Sequence, residues 1–243
     1  MVPLCPHTDP IVIEGESFPA AEIVEVLASM VTPKRHSRIE TTLAQRTYTV
    51  APVMEGLYDR GNVSAVVRSA EALGYQSVHI VDSSETFKQA NRVTQGAEKW
   101  LDICSWDSTE VCLAHLKKMG YRIVATHFEN AQPIRELCFD EPTAIVFGNE
   151  KDGVSDAVLD VADVRTVIPM VGFTKSFNIS VAAALCLYHV QQDRFRRLGR
   201  HGDLDDETMR VLRALYYMRT VPNAERVLLD QRKRAGAGRA FMG

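Results

Sequence analysis

A chain of 243 residues, 46% hydrophobic and 24% charged, is an ordinary globular mixture, large enough to bury a core without metal or disulfide staples. The longest apolar run, Ile179 to Val190, carries His189 and falls short of the length that spans a membrane. Five scattered cysteines form no C-x-x-C pair and the seven histidines show no metal-ligand spacing; reduced thiols in a core are expected, and a metal enzyme is not.

The net charge of −3 argues weakly against a nucleic-acid partner, but its distribution points the other way. Residues 1–46 carry 4 Lys/Arg and 6 Asp/Glu, residues 47–189 carry 12 and 18, and residues 190–243 carry 12 and 7. Basic residues therefore collect near the C-terminal end (Arg194, Arg196, Arg197, Arg200, then Arg232, Lys233, Arg234, Arg239), with a smaller group at Lys34, Arg35, His36 and Arg38. Such groups suit phosphate contact, and also suit a plain solvated helix face. Met1 to Glu16 has neither the basic-then-apolar order of a signal peptide nor the Arg/Ser richness of a transit peptide. The expected location is cytoplasmic, or organellar if a leader has been trimmed.

Taken in chain order, Pro19 to Met30 reads as a short amphipathic helix and His36 to Arg46 as a polar, basic one. From Thr47 strands and helices alternate. The expected strands are 47–53, 77–81, 101–105, 122–126, 144–147 and 165–168; the expected helices are 62–73, 108–119 and 155–159, then a long one over 178–198. Several strands, such as Thr143-Ala144-Ile145-Val146-Phe147, are apolar on both faces, which belongs to a parallel sheet covered by helices. Two further helices, about 205–218 and 223–233, follow, and the end from Ala235 is expected to fray. Three segments result: an N-terminal helical extension over 1–45, an α/β domain over 46–198, and C-terminal basic helices over 199–243.

Three stretches carry candidate chemistry. Gly61-Asn62-Val63-Ser64-Ala65-Val66-Val67-Arg68 opens a helix after a strand, with Asn62 placed to cap it and Gly74 to close it. Its apolar positions recur at helical spacing, and Asn62 and Arg68 stand outside them. Phe147-Gly148-Asn149-Glu150-Lys151-Asp152-Gly153-Val154-Ser155 leaves a buried strand through a loop with two glycines, where backbone can approach a ligand closely. It fits neither a Walker loop nor a G-x-G-x-x-G turn. Ile168-Pro169-Met170-Val171-Gly172-Phe173-Thr174-Lys175-Ser176-Phe177-Asn178-Ile179-Ser180 runs into a helix apolar on most sides, capped by Ser176 or Asn178 and compatible with a subunit interface or a deep core. Each stretch taken alone also reads as an ordinary capped helix or strand–helix turn.

In this order and spacing the three resemble the signature motifs of the SpoU methyltransferases: N-x-x-A-x-x-R, F-G-x-E-x-x-G-[V/L]-S and I-P-M-x-G…S-[L/F]-N-[V/I]-S-x-A. The likeness covers about residues 46–198 and includes the familiar Val93-Thr94-Gln95-Gly96-Ala97-Glu98-Lys99-Trp100. Within that group the chain is most similar to the TrmH tRNA (guanosine-2′-O-) methyltransferases. The resemblance implies a parallel-sheet SPOUT domain with a C-terminal trefoil knot, a feature no pattern would suggest because knots are nearly absent from proteins. It implies S-adenosyl-L-methionine as methyl donor, held in a bent form at Gly148, Ile168 and Phe177, with Thr126, Phe147 and Met170 nearby.

It also implies Arg68 as the catalytic arginine, with Asn62, Glu150, Ser176 and Asn178 shaping the same site, and a homodimer in which Arg68 and Asn62 come from one subunit and the donor site from the other. The implied reaction is RNA 2′-O-ribose methylation, on a guanosine of the tRNA D-loop. The open alternatives are ribosomal RNA as substrate, an RNA-binding protein without turnover, and a nucleotide-dependent oxidoreductase, which lacks its glycine fingerprint here. Lys175, where the tRNA enzymes often have glutamine, and Phe177, in place of a common leucine, are departures that leave the exact RNA position open.

Overall fold

The computed structural model describes residues 4–56, 59–81, 96–149, 151–174 and 176–240. In chain order the elements are strands β1 (Ile11–Ile13) and β2 (Glu16–Phe18), helices α1 (Ala20–Leu27) and α2 (Pro33–Leu43), β3 (Val50–Glu55), α3 (Arg60–Ala72), β4 (Ser77–Val81), β5 (Asp102–Trp106) and α4 (Thr109–Lys118). There follow β6 (Arg122–Thr126), β7 (Gln132–Pro133), β8 (Thr143–Phe147), α5 (Asp156–Val161), β9 (Val164–Val167), α6 (Ile179–Leu198), α7 (Asp206–Thr220) and α8 (Ala224–Ala240). They form two compact units, one built on Gln45–Asp203, the other from Cys5–Ala44 together with Leu204–Gly243. The first and third segments read from the sequence thus fold as one unit.

The larger unit is the expected α/β sheet: seven strands, every described pair parallel, in the order β5-β4-β3-β8-β6-β9-β7. The central strands β3 and β8 are buried along their whole length, as two-sided apolar runs require. Alternation divides them. Val50, Met54, Ile145 and Phe147 join α3 and α6 in one core, and Ala51, Val53, Ala144 and Val146 join α4 and α5 in the other. Burial on both faces is the main favourable contribution to stability here, at about 25 cal/mol per Å² of apolar area.

Polar groups fix the ends of this unit. Arg194, which the sequence offered as a phosphate contact, is instead fully buried; it donates to the Phe139 and His201 carbonyls and pairs with Asp203. Arg196 and Arg197 both reach the buried carboxylate of Asp193 at 2.7 and 2.9 Å. The long stems and heads of this cluster are thus committed to the fold, because a buried charge needs a partner.

In the smaller unit β1 and β2 form a hairpin turning at Glu14 and Gly15, both with positive φ, which no reading of the sequence anticipated because a glutamate rarely adopts that backbone. Thr32 caps α2 and Pro33 opens it. Glu40 accepts two bonds from Arg213 of α7 at 2.6 and 2.8 Å, which hold its carboxyl below the usual range. Arg232 of α8 donates from one nitrogen, Nη2, to both carboxylate oxygens of Glu22 of α1 and lies over the Phe18 ring. α8 runs to Ala240, past the end at about 233 read from the sequence; its alanines and arginines favour helix, while Gly236 and Gly238 do not. Lys34, Arg35 and Arg38 of α2 lie on its exposed side.

Candidate active site

β8, β6 and β9 are neighbours in the sheet, and their carboxyl ends open on one cavity of about 460 Å³. In open α/β sheets ligands sit at this edge, where chain crossovers leave a crevice. Thr126 ends β6 and donates its hydroxyl to the Val146 carbonyl of β8 at 2.9 Å, tying two strands below the opening. His127 and Phe128 follow as a stacked pair, ring centroids 4.8 Å apart, on the rim. Ile168 and Met170 come from the end of β9, and Ser176, Phe177, Ile179, Ala182 and Cys186 from the approach to α6 and its first turns.

The wall next to β8 is a tight loop. Asn149 and Gly153 exchange both backbone hydrogen bonds at 3.0 Å, and the Asn149 side chain accepts from the N–H groups of Lys151 and Asp152 at 2.9 and 2.7 Å. Gly153 has φ +71°, and a Cβ on Gly148 would lie 2.0 Å from the Gly153 carbonyl carbon and oxygen. Only glycine fits at 148, so the loop folds flat over the strand end and leaves the cavity open.

Of the residues singled out by sequence, Thr126, Gly148, Ile168, Met170, Ser176 and Phe177 line this cavity. Phe147 does not: it is fully buried in the core on the α3–α6 side. Asn178 caps α6, accepting from the Ser180 N–H at 2.9 Å, and donates to Asn62 Oδ1 at 3.2 Å, so two of the three motifs meet. Asn62 is not the helix cap expected of it. Asp59 takes that place, accepting from the Gly61 N–H at 2.7 Å, which leaves Asn62 inside the first turn of α3, buried and turned toward Asn178. Arg68 is exposed on α3, does not line the cavity, and makes no hydrogen bond or ion pair with the described residues. Glu150 and Lys175 lie outside the described residues.

Sequence reasoning missed His127, Phe128, Asn149 and Cys186. Asn149 alone carried a signal, standing between the two glycines of its loop. Burial pushes the Cys186 thiol up to about 12, so the sulfur lining the cavity stays protonated at neutral pH and is a poor nucleophile. Among the described residues no group of three or more His, Cys, Asp or Glu could hold a metal, and no helix is long and apolar enough to cross a membrane.

Comparison with known proteins agrees with this geometry. The pattern of the SpoU rRNA Methylase family matches residues 50–188. The tRNA (guanosine(18)-2′-O)-methyltransferase of Escherichia coli strain K12 is 37% identical over 163 residues, 67% of this chain and 71% of that protein. The crystal structure of the Aquifex aeolicus TrmH/SpoU tRNA modifying enzyme superposes with a TM-score of 0.68 at 30% identity, covering 78% of this chain and 98% of that one. The SpoU methyltransferase AviRb from Streptomyces viridochromogenes, solved in complex with the cofactor AdoMet, shares the fold at a TM-score of 0.55, with 23% identity over 60% of each chain. By family pattern, by identity and by superposition, the chain belongs to the SpoU methylase family.

Proposed function

We propose that this protein methylates the ribose 2′-hydroxyl of a guanosine in the tRNA D-loop, using S-adenosyl-L-methionine. The observation that carries the reading is the convergence of the motifs: the second and third motifs wall one cavity, and the first joins the third through the Asn62–Asn178 bond beside it. Relatives named for methylation of guanosine 18 of tRNA support the choice of RNA. The cavity suits the donor. Its volume of about 460 Å³ lies in the range of small-molecule sites, Gly148 clears its wall of side chain, and strand-end N–H and C=O groups at its rim match the edge of an adenine.

When bound, S-adenosyl-L-methionine supplies an electrophilic methyl group and a neutral thioether leaving group. What remains for the chain is orientation and charge. A guanidinium is no base in water, so the task of Arg68 is to clamp an RNA phosphate bidentately and stabilise the 2′-oxyanion that develops as the hydroxyl proton passes to solvent water. Asn62 and Asn178 hold the first turns of α3 and α6 together, and Ser176 lines the donor cavity; the motif resemblance alone adds Glu150. A protonated Cys186 leaves the ribose hydroxyl without a competing thiolate.

The reading includes a trefoil knot in the C-terminal part of the sheet domain and a homodimer. The likeness to the Aquifex structure supports the first. The second is supported by Arg68, which stands away from its own chain's cavity, and by α6, whose Val181, Leu185 and Tyr188 are 46%, 42% and 55% exposed. These apolar side chains recur at helical spacing and suit a second copy of the chain. The same reading places the enzyme in the compartment that holds its tRNA.

The test is transfer of labelled methyl to unmodified bulk tRNA and, separately, to ribosomal RNA, with the product nucleotide identified by mass. The expected product is 2′-O-methylguanosine in tRNA. Label in ribosomal RNA alone would change the substrate, and label in neither would refute the activity.

A further inference from the structure

Glu55 belongs to none of the three motifs, yet it is a buried acid, 7% exposed, at the carboxyl end of β3. The pairing of β3 with β8 ends at Met54 opposite Phe147. Glu55 therefore stands level with Gly148, the first residue of the loop that walls the cavity. A buried carboxylate has to find donors, and this one finds three. Its Oε1 accepts the hydroxyls of Thr109 and Ser155, each at 2.6 Å, and its Oε2 accepts the Ser155 N–H at 2.8 Å.

The two partners differ in what they hold. Thr109 opens α4 behind the sheet. Ser155 caps α5, accepting from the Val158 N–H at 3.4 Å, and is the last residue of the loop. That loop is fixed at its start by β8 and closed on itself by the Asn149–Gly153 bridge; its far end is held by Glu55. Gly148, Asn149, Lys151, Asp152 and Gly153 line the cavity, whereas Glu55 does not.

We propose that Glu55 is a positioning residue for the methyl donor, clamping Ser155 so that the 148–155 loop keeps the shape of the cavity wall without touching the donor itself. The proposal rests on the reading of the cavity as the S-adenosyl-L-methionine site. It separates the bonds made by one carboxylate: the two to Ser155 set donor affinity, and the one to Thr109 serves stability alone.

Full-length Glu55→Gln, Ser155→Ala and Thr109→Val are compared with wild type by calorimetric titration with S-adenosyl-L-methionine and S-adenosylhomocysteine, by KM and kcat on tRNA, and by melting temperature. Glu55→Gln and Ser155→Ala are expected to weaken both ligands by about tenfold, the worth of one charge-assisted hydrogen bond, and to raise KM for the donor with kcat within about twofold at saturation. Thr109→Val is expected to bind both as wild type does even if it melts earlier. Ser155→Ala carries the test should Glu55→Gln not fold. The proposal fails if Glu55→Gln and Ser155→Ala bind like wild type, or if Thr109→Val weakens binding as much as they do. Wild-type protein that binds neither ligand would refute the cavity reading itself.

Discussion

Arg68 and His201 mark the two extremes of side-chain environment in the larger unit. Arg68 is exposed and unattached among the described residues, so Arg68→Ala should leave stability within about 0.5 kcal/mol of wild type. It should lower kcat by about 100-fold or more and leave donor affinity unchanged in a calorimetric titration; loss of donor binding would contradict the phosphate-clamp role. His201 is fully buried against Tyr75 and Phe195, and neither ring nitrogen has a hydrogen-bond partner among the described residues. Burial, with Arg194 and Arg46 nearby and only Asp203 opposing them, pushes its pKa down to about 4. His79 is pushed down to about 4 as well, by burial and then by His115. Unfolded imidazoles take up protons near pH 6.5 while these two resist until about 4. Stability is therefore whole above about pH 6.5 and drains away as pH falls toward 4, by on the order of 3 kcal/mol for each ring. His201→Phe should roughly halve the fall in melting temperature between pH 7 and 5; an unchanged fall would show that His201 takes no part in it. At this scale the sequence told apart only some roles. Arg68 stood outside an apolar helical face, but Arg194 looked like a phosphate ligand because nothing in a linear order shows that Asp203 will meet it; Arg196 stands three residues after Asp193 on the expected helix, a spacing that did offer their pairing. Glu55 was silent for the same reason: a single acid at a strand end has no spacing to read.

Elements were legible where one physical constraint dominated. Two-sided apolar runs gave the strands over 77–81 and 122–126 with the boundaries the structure has, and the glycine after α3 takes the positive φ that a helix end needs. The misses came where local chemistry competed. Asp59 took the cap of α3 from Asn62, and β7, two residues long, exists only because β9 runs beside it. The loop after β8 was visible as a pair of glycines, but not the reason for the first of them. Gly148→Ala would drive a methyl group to within 2.0 Å of the Gly153 carbonyl, and the loop must lift off the strand end to admit it. The expected result is a folded protein, because the loop contributes only Val154 to either core, that shows no melting-temperature rise on adding S-adenosyl-L-methionine. A normal rise would mean that the cavity does not depend on this packing.

For the molecule as a whole, the exposed apolar stripe of α6 gives the simplest prediction. Leu185→Lys places a charge in the middle of that stripe, and sedimentation should find a dimer in wild type and a monomer in the variant, with methyl transfer lost and donor affinity retained. A variant that still sediments as a dimer would move the interface elsewhere. The sheet order carries a different consequence, one of timing. Val50 of β3 pairs with Thr143 of β8, and residues 5–44 complete their unit only with residues 204–243. Contacts this distant in sequence must wait for long loops to close, which slows folding. On the ribosome α1 and α2 therefore have no partner from their own unit until α7 and α8 have been made, and β3 stays half-paired until β8 arrives. In that interval the nascent chain exposes apolar surface that only residues made much later can cover, so its yield in the cell depends on chaperone supply and translation speed as well as on the stability of the finished fold.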